Sequence, residues 1–487
     1  MATNRADVGG VSVPTDHLIG GVWTSSAETF ASRSPLDWDG PVLAEVARGD
    51  AATADAAVAA AVEGFDVWGG YSPTERAERM HRLADLIDEH NDEIAAVETL
   101  DMGFMAESMR LRLVARGATN FRIYADRVSL PEEPGWEAKG QWHTVQRMPA
   151  GPAVVITPWN APFMLATWKL APALAAGNTV IHKPAEWSPL SAALLAELTI
   201  EAGFPPGAYN LVQGIGDEAG AALVADPRVR RITFTGSVPT ARRIGAAAAA
   251  NIVPFTAELG GKNPFLVFAD ADLDAAAKQA ANQYDDSGQV CLSGTRLLVD
   301  ASIREAFLER FHHHTDRLVL GDSRDPGVDI APLVHPTHRE RVHGFVERAR
   351  AAGDTIVRGG QPVEGSLHYE PTLIEPRSNE SEVVQNEIFG PVLTFQTFDD
   401  EAEAIALANS TDYGLSGIVF TSSAARADRV GRAVRAGLVW VNTFLVRDLS
   451  VPFGGCRISG IGREGGDYAL DFHSDIKTLM ILSDTTS

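Results

Sequence analysis

The chain has 487 residues, too many for one hydrophobic core, so two or three domains are expected. Its 41 basic residues face 64 acidic ones, and the net charge of −23 sets nucleic acid and membrane surfaces aside as partners. Apolar residues at 45% and charged residues at 22% are ordinary for a globular protein, and two cysteines, Cys291 and Cys456, exclude a disulfide framework and a zinc cluster.

The opening Met1-Ala2-Thr3-Asn4-Arg5-Ala6-Asp7 lacks the apolar run of a signal peptide, and no stretch approaches the roughly 20 apolar residues of a membrane span, so a cytoplasmic location is expected. Residues 1–50 are punctuated by Gly, Pro and Ser and predict short strands and turns. Residues 53–68 carry an Ala-rich helical pattern. The spacing then predicts one amphipathic helix over 74–100, with Thr74, Glu75 and Glu78 at its positive end. A further helix is predicted over 106–125. Residues 131–148, with Trp136, Trp142, Thr144 and Val145, read as a hairpin leaving the first domain.

Beyond Pro149 the rhythm changes. Short apolar runs at 153–156, 179–182, 209–212, 231–234 and 264–268 alternate with helical stretches at 161–176, 189–202, 217–225 and 240–250. That alternation predicts a doubly wound parallel sheet with ligands at the strand C-termini. A second α/β stretch spans about 261–455, and 474–482 reads as an extra strand.

Three residues carry candidate chemistry. Cys291, in Ser287-Gly288-Gln289-Val290-Cys291, is either a buried structural thiol or a nucleophile approached over small residues. Glu258 stands just before Gly260-Gly261-Lys262. It reads either as an ion-pair partner of Lys262 or as a desolvated general base. Asn160, between Pro158 and Pro162, is a turn residue or an amide aimed at an oxyanion. Gly214-Ile215-Gly216 and Thr235-Gly236-Ser237 each follow a strand and open a helix, where pyrophosphate is attracted, although the full Gly-X-Gly-X-X-Gly pattern is absent. Lys183-Pro184-Ala185-Glu186 is either a solvated turn or a contact to ribose hydroxyls. His312-His313-His314 lie on one helix, where successive side chains diverge and cannot share a metal ion, so no metal is expected.

Taken in order, Pro158-Trp159-Asn160, Lys183-Pro184-Ala185-Glu186, Phe234-Thr235-Gly236-Ser237, Glu258-Leu259-Gly260-Gly261-Lys262, Gly288-Gln289-Val290-Cys291, Asn386-Glu387-Ile388-Phe389-Gly390-Pro391 and Pro452-Phe453-Gly454-Gly455 resemble the aldehyde dehydrogenase superfamily over nearly the whole chain. The resemblance implies an α/β fold. It has a Rossmann-like NAD domain (1–129 and 150–259), an α/β catalytic domain (260–458) and a small β oligomerisation element (130–149 and 472–487), assembled as a homodimer or homotetramer.

It further implies that the Cys291 thiolate attacks a small-molecule aldehyde. Asn160 and the Cys291 N–H hold the oxyanion of the thiohemiacetal, hydride passes to NAD, and Glu258 activates water to hydrolyse the thioester. Cofactor contacts carry over to Ile156, Thr157, Pro158, Trp159, Lys183, Glu186, Gly216, Gly236, Ser237, Leu259, Glu387 and Phe389. The Glu186 carboxylate would repel a 2′-phosphate, favouring NAD over NADP. Three places depart from the family pattern: Asp286 where Asn is usual, Val238-Pro239-Thr240-Ala241 beside the cofactor, and Asp101–Met105.

Arg116-Gly117-Ala118-Thr119-Asn120-Phe121, the segment Asn442-Thr443-Phe444-Leu445-Val446-Arg447-Asp448-Leu449, Gly462-Arg463-Glu464-Gly465-Gly466, Leu470-Asp471-Phe472 and Lys477 resemble the muconic semialdehyde dehydrogenases in particular. That implies Arg116 and Arg447 as holders of a substrate carboxylate. The bland alternatives are an Arg447–Asp448 ion pair and an Arg116 that faces a neighbouring helix. Other substrates remain open, among them betaine-like, aliphatic and aromatic aldehydes. A CoA-acylating enzyme is disfavoured by Glu258, and a non-catalytic protein by the joint presence of Asn160, Glu258 and Cys291.

Overall fold

The computed structural model describes residues 3–130 and 134–482. The start of the expected hairpin (131–133) and the end of the expected tail (483–487) lie outside the described residues, as do residues 1–2.

Five parallel strands form the middle of an eight-stranded sheet, in the spatial order Phe255–Glu258, Arg231–Thr235, Ala153–Ile156, Val180–Lys183, Tyr209–Leu211. Gly460–Ile461 closes one edge antiparallel, and His17–Ile19 with Val22–Thr24 closes the other. Successive strand residues point to opposite faces, and both faces are covered. Val155, Val180 and Leu211 pack with helices Pro73–Glu89, Pro162–Ala175 and Leu190–Glu201, whereas Val154, Ile181 and Ile232 pack with Ala51–Trp68 and Val238–Ala250.

A second sheet of seven strands runs Thr355–Arg358, Thr372–Glu375, Val392–Phe398, Arg296–Asp300, Pro264–Val267, Ser416–Phe420, Leu438–Val441. All its neighbours are parallel except the Thr355–Arg358 edge. Pro264–Val267 therefore belongs here and not with the first sheet, as its place in the series of apolar runs suggested. The strand actually following Arg231–Thr235 is Phe255–Glu258, hidden in the sequence because Thr256 and Glu258 interrupt its apolar residues.

The predicted 74–100 helix is two. Ser72 caps the first with a reciprocal Glu75 bond and Pro73 at its first turn, so the cap lies two residues before Thr74. The helix ends at Glu89. His90 leaves helical geometry (φ −103°, ψ 15°), and Asn91–Met102 restarts with Asp92 and Glu93 in its first turn. The predicted 106–125 helix contains a π-helical turn, Met109–Val114, that ends two residues before Arg116.

The hairpin and tail join as one sheet. Trp136–Ala138 pairs with Gln141–Pro149 around a left-handed Lys139-Gly140 turn, and Ser474–Leu482 pairs with Gln141–Pro149 along its whole length. Trp136, Trp142, Met148, Ile476 and Met480 are exposed on it. Among the described residues no helix is long and apolar enough to cross a membrane.

Candidate active site

The chain leaves Ala153–Ile156 with Val180–Lys183 on one side and Arg231–Thr235 on the other, which opens a crevice beyond the strand ends. A cleft of about 440 Å³ lies there. Pro158, Trp159, Asn160, Gly236, Ser237, Glu258, Leu259, Cys291, Glu387 and Phe389 all line it, so residues up to 231 positions apart in sequence meet in one place.

The nucleophile candidate is presented by a strained turn. Asp286, Ser287 and Gly288 are consecutively left-handed (φ 50°, 54° and 65°). A Cβ on Gly288 would collide with the Gly390 carbonyl oxygen, so this position tolerates only glycine. Gln289, unusually polar for its burial, is fully used. Its Nε2 donates to the Asp286 and Pro332 carbonyls at 3.1 and 3.3 Å, and its Oε1 accepts from Val334 N at 3.0 Å. Its own carbonyl accepts from Asn160 Nδ2 at 2.9 Å. Burial, then the Glu387 and Glu258 carboxyls, push the Cys291 thiol up to about 12, while its own and the Leu292 N–H oppose that rise.

Glu258 ends its strand 5% exposed. Burial and the facing Glu464 carboxylate hold its carboxyl well above the usual range, against Lys169 and Arg463. Lys169 Nζ pairs with Glu464 and donates to Thr233 Oγ1 at 3.0 Å. Among the described residues neither Glu258 Oε2 nor Lys262 Nζ has a hydrogen-bond partner, so the Glu258–Lys262 ion pair is not formed. Glu387 Oε1 accepts from Gly261 N at 3.0 Å, and burial raises its carboxyl to about 7.

The other expected contacts are scattered around the cleft. Lys183 Nζ lies 3.3 Å from Glu186 Oε2 and 2.9 Å from the Pro184 carbonyl. The Gly236 N–H is engaged by the Glu258 carbonyl at 3.1 Å and is not free for a phosphate, so what Gly236 offers is the absence of a side chain. Ser237 caps the helix Val238–Ala250. Thr157 Oγ1 turns to His182 Nε2 at 3.0 Å and Ile156 is half-buried behind it. Gly216 opens a π-turn at a site with open space beside it and does not line the cleft.

Sequence reading missed Trp187, His338, Arg341, Phe345 and Tyr413 in the cleft wall. Trp187 adjoins Glu186 and stacks on His335 with centroids 4.6 Å apart. Arg341 donates to the Ile388 and Glu387 carbonyls at 2.5 and 2.8 Å, and His338 Nε2 bonds the Phe389 carbonyl at 2.7 Å. Helix Pro336–Ala352, which carries His338 and Arg341, has no motif that would have marked them. His312 and His314 part company, one near Arg358 and the other against Asp274.

Beside the cleft, Arg116 and Arg447 converge on one ring. Their guanidinium carbons lie 5.3 and 4.7 Å from the Trp168 ring centroid, and Arg447 is also 4.3 Å from that of Phe453. Asp448, the alternative partner for Arg447, instead accepts from Ser450 N and Oγ. Arg116 Nε and Arg447 Nε and Nη2 are buried without hydrogen-bond partners among the described residues. Burial and the charge of Arg447 lower Arg116 to about 10.

The sequence profile of the aldehyde dehydrogenase family matches residues 23–479. The chain belongs to that family. It is 41% identical over 482 residues to the 2-hydroxymuconic semialdehyde dehydrogenase of Pseudomonas sp. (strain CF600), covering 96% of this chain and 99% of that protein. It is 40% identical over 445 residues to a betaine aldehyde dehydrogenase of Cereibacter sphaeroides (strain ATCC 17023), covering 91% and 92%. Among solved structures, it is similar to an indole-3-acetaldehyde dehydrogenase complexed with NAD+ at a TM-score of 0.94 and 37% identity over 98% of each chain. HpcC from Thermus thermophilus gives 0.93 and 41%, covering 97% and 96%. The aldehyde dehydrogenase fold, an aldehyde-oxidising activity and the NAD cofactor, all implied by the ordered motifs, are thus borne out.

Proposed function

We propose that this NAD-dependent aldehyde dehydrogenase oxidises a carboxylate-bearing semialdehyde of the hydroxymuconate type to the corresponding diacid. The observation that carries the substrate reading is the pair of buried guanidiniums, Arg116 and Arg447, whose inward N–H groups have no acceptor beside the Cys291–Glu258 cleft. A buried cation left without an acceptor is costly, and a planar carboxylate matches the fork of a guanidinium. The betaine-like alternative sits poorly with the same feature. A quaternary ammonium needs an open aromatic face, and here two arginines already cover Trp168.

The residues fit NAD. The cleft is apolar on the Trp159, Trp187 and Phe389 side, and Thr235 Oγ1 is buried on its wall without a partner. Lys183 and Glu186 would hold the adenosine ribose, Ser237 and its helix start the pyrophosphate, and Glu387 with Phe389 the nicotinamide ribose. Ile156, Thr157, Pro158, Trp159, Gly216, Gly236 and Leu259 would form the surrounding wall. NAD, when bound, supplies the acceptor for the hydride of the oxidised carbon.

The chain's own residues do the rest. Cys291 Sγ gives its proton to solvent in the cleft and attacks the aldehyde carbon as the thiolate, and the Asn160 amide with the Cys291 N–H receives the oxyanion. After oxidation to the thioester, Glu258 takes a proton from water, which attacks the carbonyl carbon and releases the acid and the thiol. The raised Glu258 carboxyl suits that task.

The division into an NAD domain, a catalytic domain and an oligomerisation element is proposed at the boundaries given above, supported by the two large sheets and the separate three-stranded one. The exposed aromatic and aliphatic side chains of that third sheet support a homodimer or homotetramer. Two free thiols, Cys291 and Cys456, are in keeping with a cytoplasmic location.

Cys291→Ala tests the core of this reading. It should abolish NADH formation while leaving NAD binding, followed by quenching of protein fluorescence, nearly unchanged. Pure variant protein that still turns over would overturn the covalent mechanism.

A further inference from the structure

We infer that Asn263 and Ser416 form a cradle that positions the backbone of the nucleophile, an inference that rests on Cys291 acting covalently. Asn263 Nδ2 donates to the Cys291 carbonyl at 2.8 Å and to the Ser293 carbonyl at 2.9 Å. Ser416 Oγ donates to the Leu292 carbonyl between them at 3.0 Å. The two members are joined, since Ser416 N donates to Asn263 Oδ1 at 3.0 Å. Three consecutive carbonyls of the nucleophile loop are therefore held by two side chains, Asn263 just before the strand Pro264–Val267 and Ser416 at the start of the neighbouring strand Ser416–Phe420.

The chain makes room for this arrangement. A Cβ on Gly261 would collide with Asn263 Oδ1, so the glycine before Lys262 exists at that place to admit the amide. Asn263 is 1% exposed and every polar atom of its side chain is used. Pro264–Val267 and Ser416–Phe420 pair as parallel neighbours, which fixes the distance between the cradle's two halves.

The consequence concerns the other side of the same peptides. The Cys291 carbonyl and the Leu292 N–H belong to one planar peptide, so drawing that carbonyl towards Asn263 keeps the Leu292 N–H towards Sγ, where it favours the thiolate. The Asn160–Gln289 bond holds the loop from its N-terminal side. The cradle holds it from the C-terminal side. Asn263 and Ser416 are positioning residues and touch no reacting atom.

The test uses Asn263→Asp, Asn263→Ala and Ser416→Ala in the full-length enzyme, with single-turnover NADH formation on succinic semialdehyde and NAD binding by fluorescence. Asn263→Asp keeps the acceptor for Ser416 N but sets a carboxylate oxygen against two carbonyl oxygens. Its acylation rate per titrated active site should fall about ten- to a hundredfold, the scale of a displaced nucleophile. Asn263→Ala should fall similarly. Ser416→Ala, which loses one bond, should fall about two- to tenfold. NAD affinity should move less than twofold in all three.

Wild-type acylation per titrated site in Asn263→Asp would overturn the cradle, as would losses that only follow the fraction of folded enzyme. If the Asn263 variants do not fold, Ser416→Ala decides, and an unchanged acylation rate there overturns the proposal. An active Cys291→Ala control would instead remove the covalent reading beneath it, so the two failures are separable.

Discussion

Asn160 Nδ2 donates to the Gln289 carbonyl oxygen at 2.9 Å, joining the loop that follows Ala153–Ile156 to the loop that carries Cys291. One amide hydrogen fixes the side chain and leaves the second for the oxyanion of the proposed mechanism. The bond also ties the loop at the first sheet's switch point to the loop that carries the proposed nucleophile.

Asn160→Ala should lower kcat on any aldehyde by about 10²–10³, the usual cost of removing one oxyanion donor. NAD affinity should stay within a few-fold of wild type, because the amide is engaged by the Gln289 carbonyl of the Cys291 loop. Single-turnover and steady-state NADH formation measured side by side check this. A loss that falls on hydrolysis alone, with acylation intact, would remove Asn160 from the oxyanion site.

For Glu258 the pH dependence carries the sign. A general base works ionised, and burial with the Glu464 charge holds this carboxyl well above its ordinary range. Deacylation should therefore be slow in acid and rise with pH as Glu258 loses its proton, with a midpoint above that of a free glutamate. Glu258→Gln should lower the steady rate by about 10²–10⁴ and erase that pH-dependent limb, leaving a rapid burst of NADH. A burst that vanishes with the steady rate would assign Glu258 an earlier role.

Much of the fold was legible because the middle strands are covered on both faces. Burial on two sides demands runs such as Ala153–Ile156 and Pro264–Val267 with no polar alternation. Phe255–Glu258 escaped because Thr256 and Glu258 alternate with Phe255 and Ala257, so it holds no apolar run. The His90 break escaped because the apolar period continues across it, and only the acids of the next first turn mark it. Site residues inside the ordered motifs could be read locally. Arg341 could not, since it acts by bonding the carbonyls of Glu387 and Ile388 from a distant helix. The Asn263–Ser416 bond spans 153 residues and likewise leaves no local pattern.

A stability prediction follows from Glu98, fully buried behind the same loop. Its Oε1 accepts from Phe163 N at 2.8 Å and Ser191 Oγ at 2.7 Å, while Oε2 has no partner. Burial raises its carboxyl to about 8. A folded-state value above the unfolded one means that the folded chain binds the proton more tightly. The contribution is thus complete below the unfolded value, about 4.3 for a glutamate, and is lost as pH rises towards about 8. Glu98→Gln imitates the protonated acid and keeps the Oε1 acceptor. It should change Tm little at pH 5 and raise it by about 2–5 °C at pH 9, measured by thermal melts at constant ionic strength. Equal shifts at both pH values would contradict this.

The last prediction concerns the paired arginines. If Arg116 and Arg447 bind a carboxylate remote from the aldehyde, succinic semialdehyde should be preferred to butanal, its neutral counterpart of equal chain length. Charge-assisted hydrogen bonds contribute about 1.5–3 kcal/mol each, or roughly tenfold to a hundredfold in kcat/KM. Arg447→Ala should remove most of that preference while sparing butanal, since the guanidinium stacks on Trp168 and Phe453 without holding any residue of the catalytic pair. Arg447→Lys should recover only part, because an ammonium lacks the planar fork. Betaine aldehyde should be a poor substrate of the wild type and improve in Arg447→Ala, where one positive charge leaves the Trp168 face. The measurement is kcat/KM for the three aldehydes on wild type and both variants. Equal losses on succinic semialdehyde and butanal would make Arg447 a packing residue, and the two partnerless guanidiniums would then say nothing about the substrate.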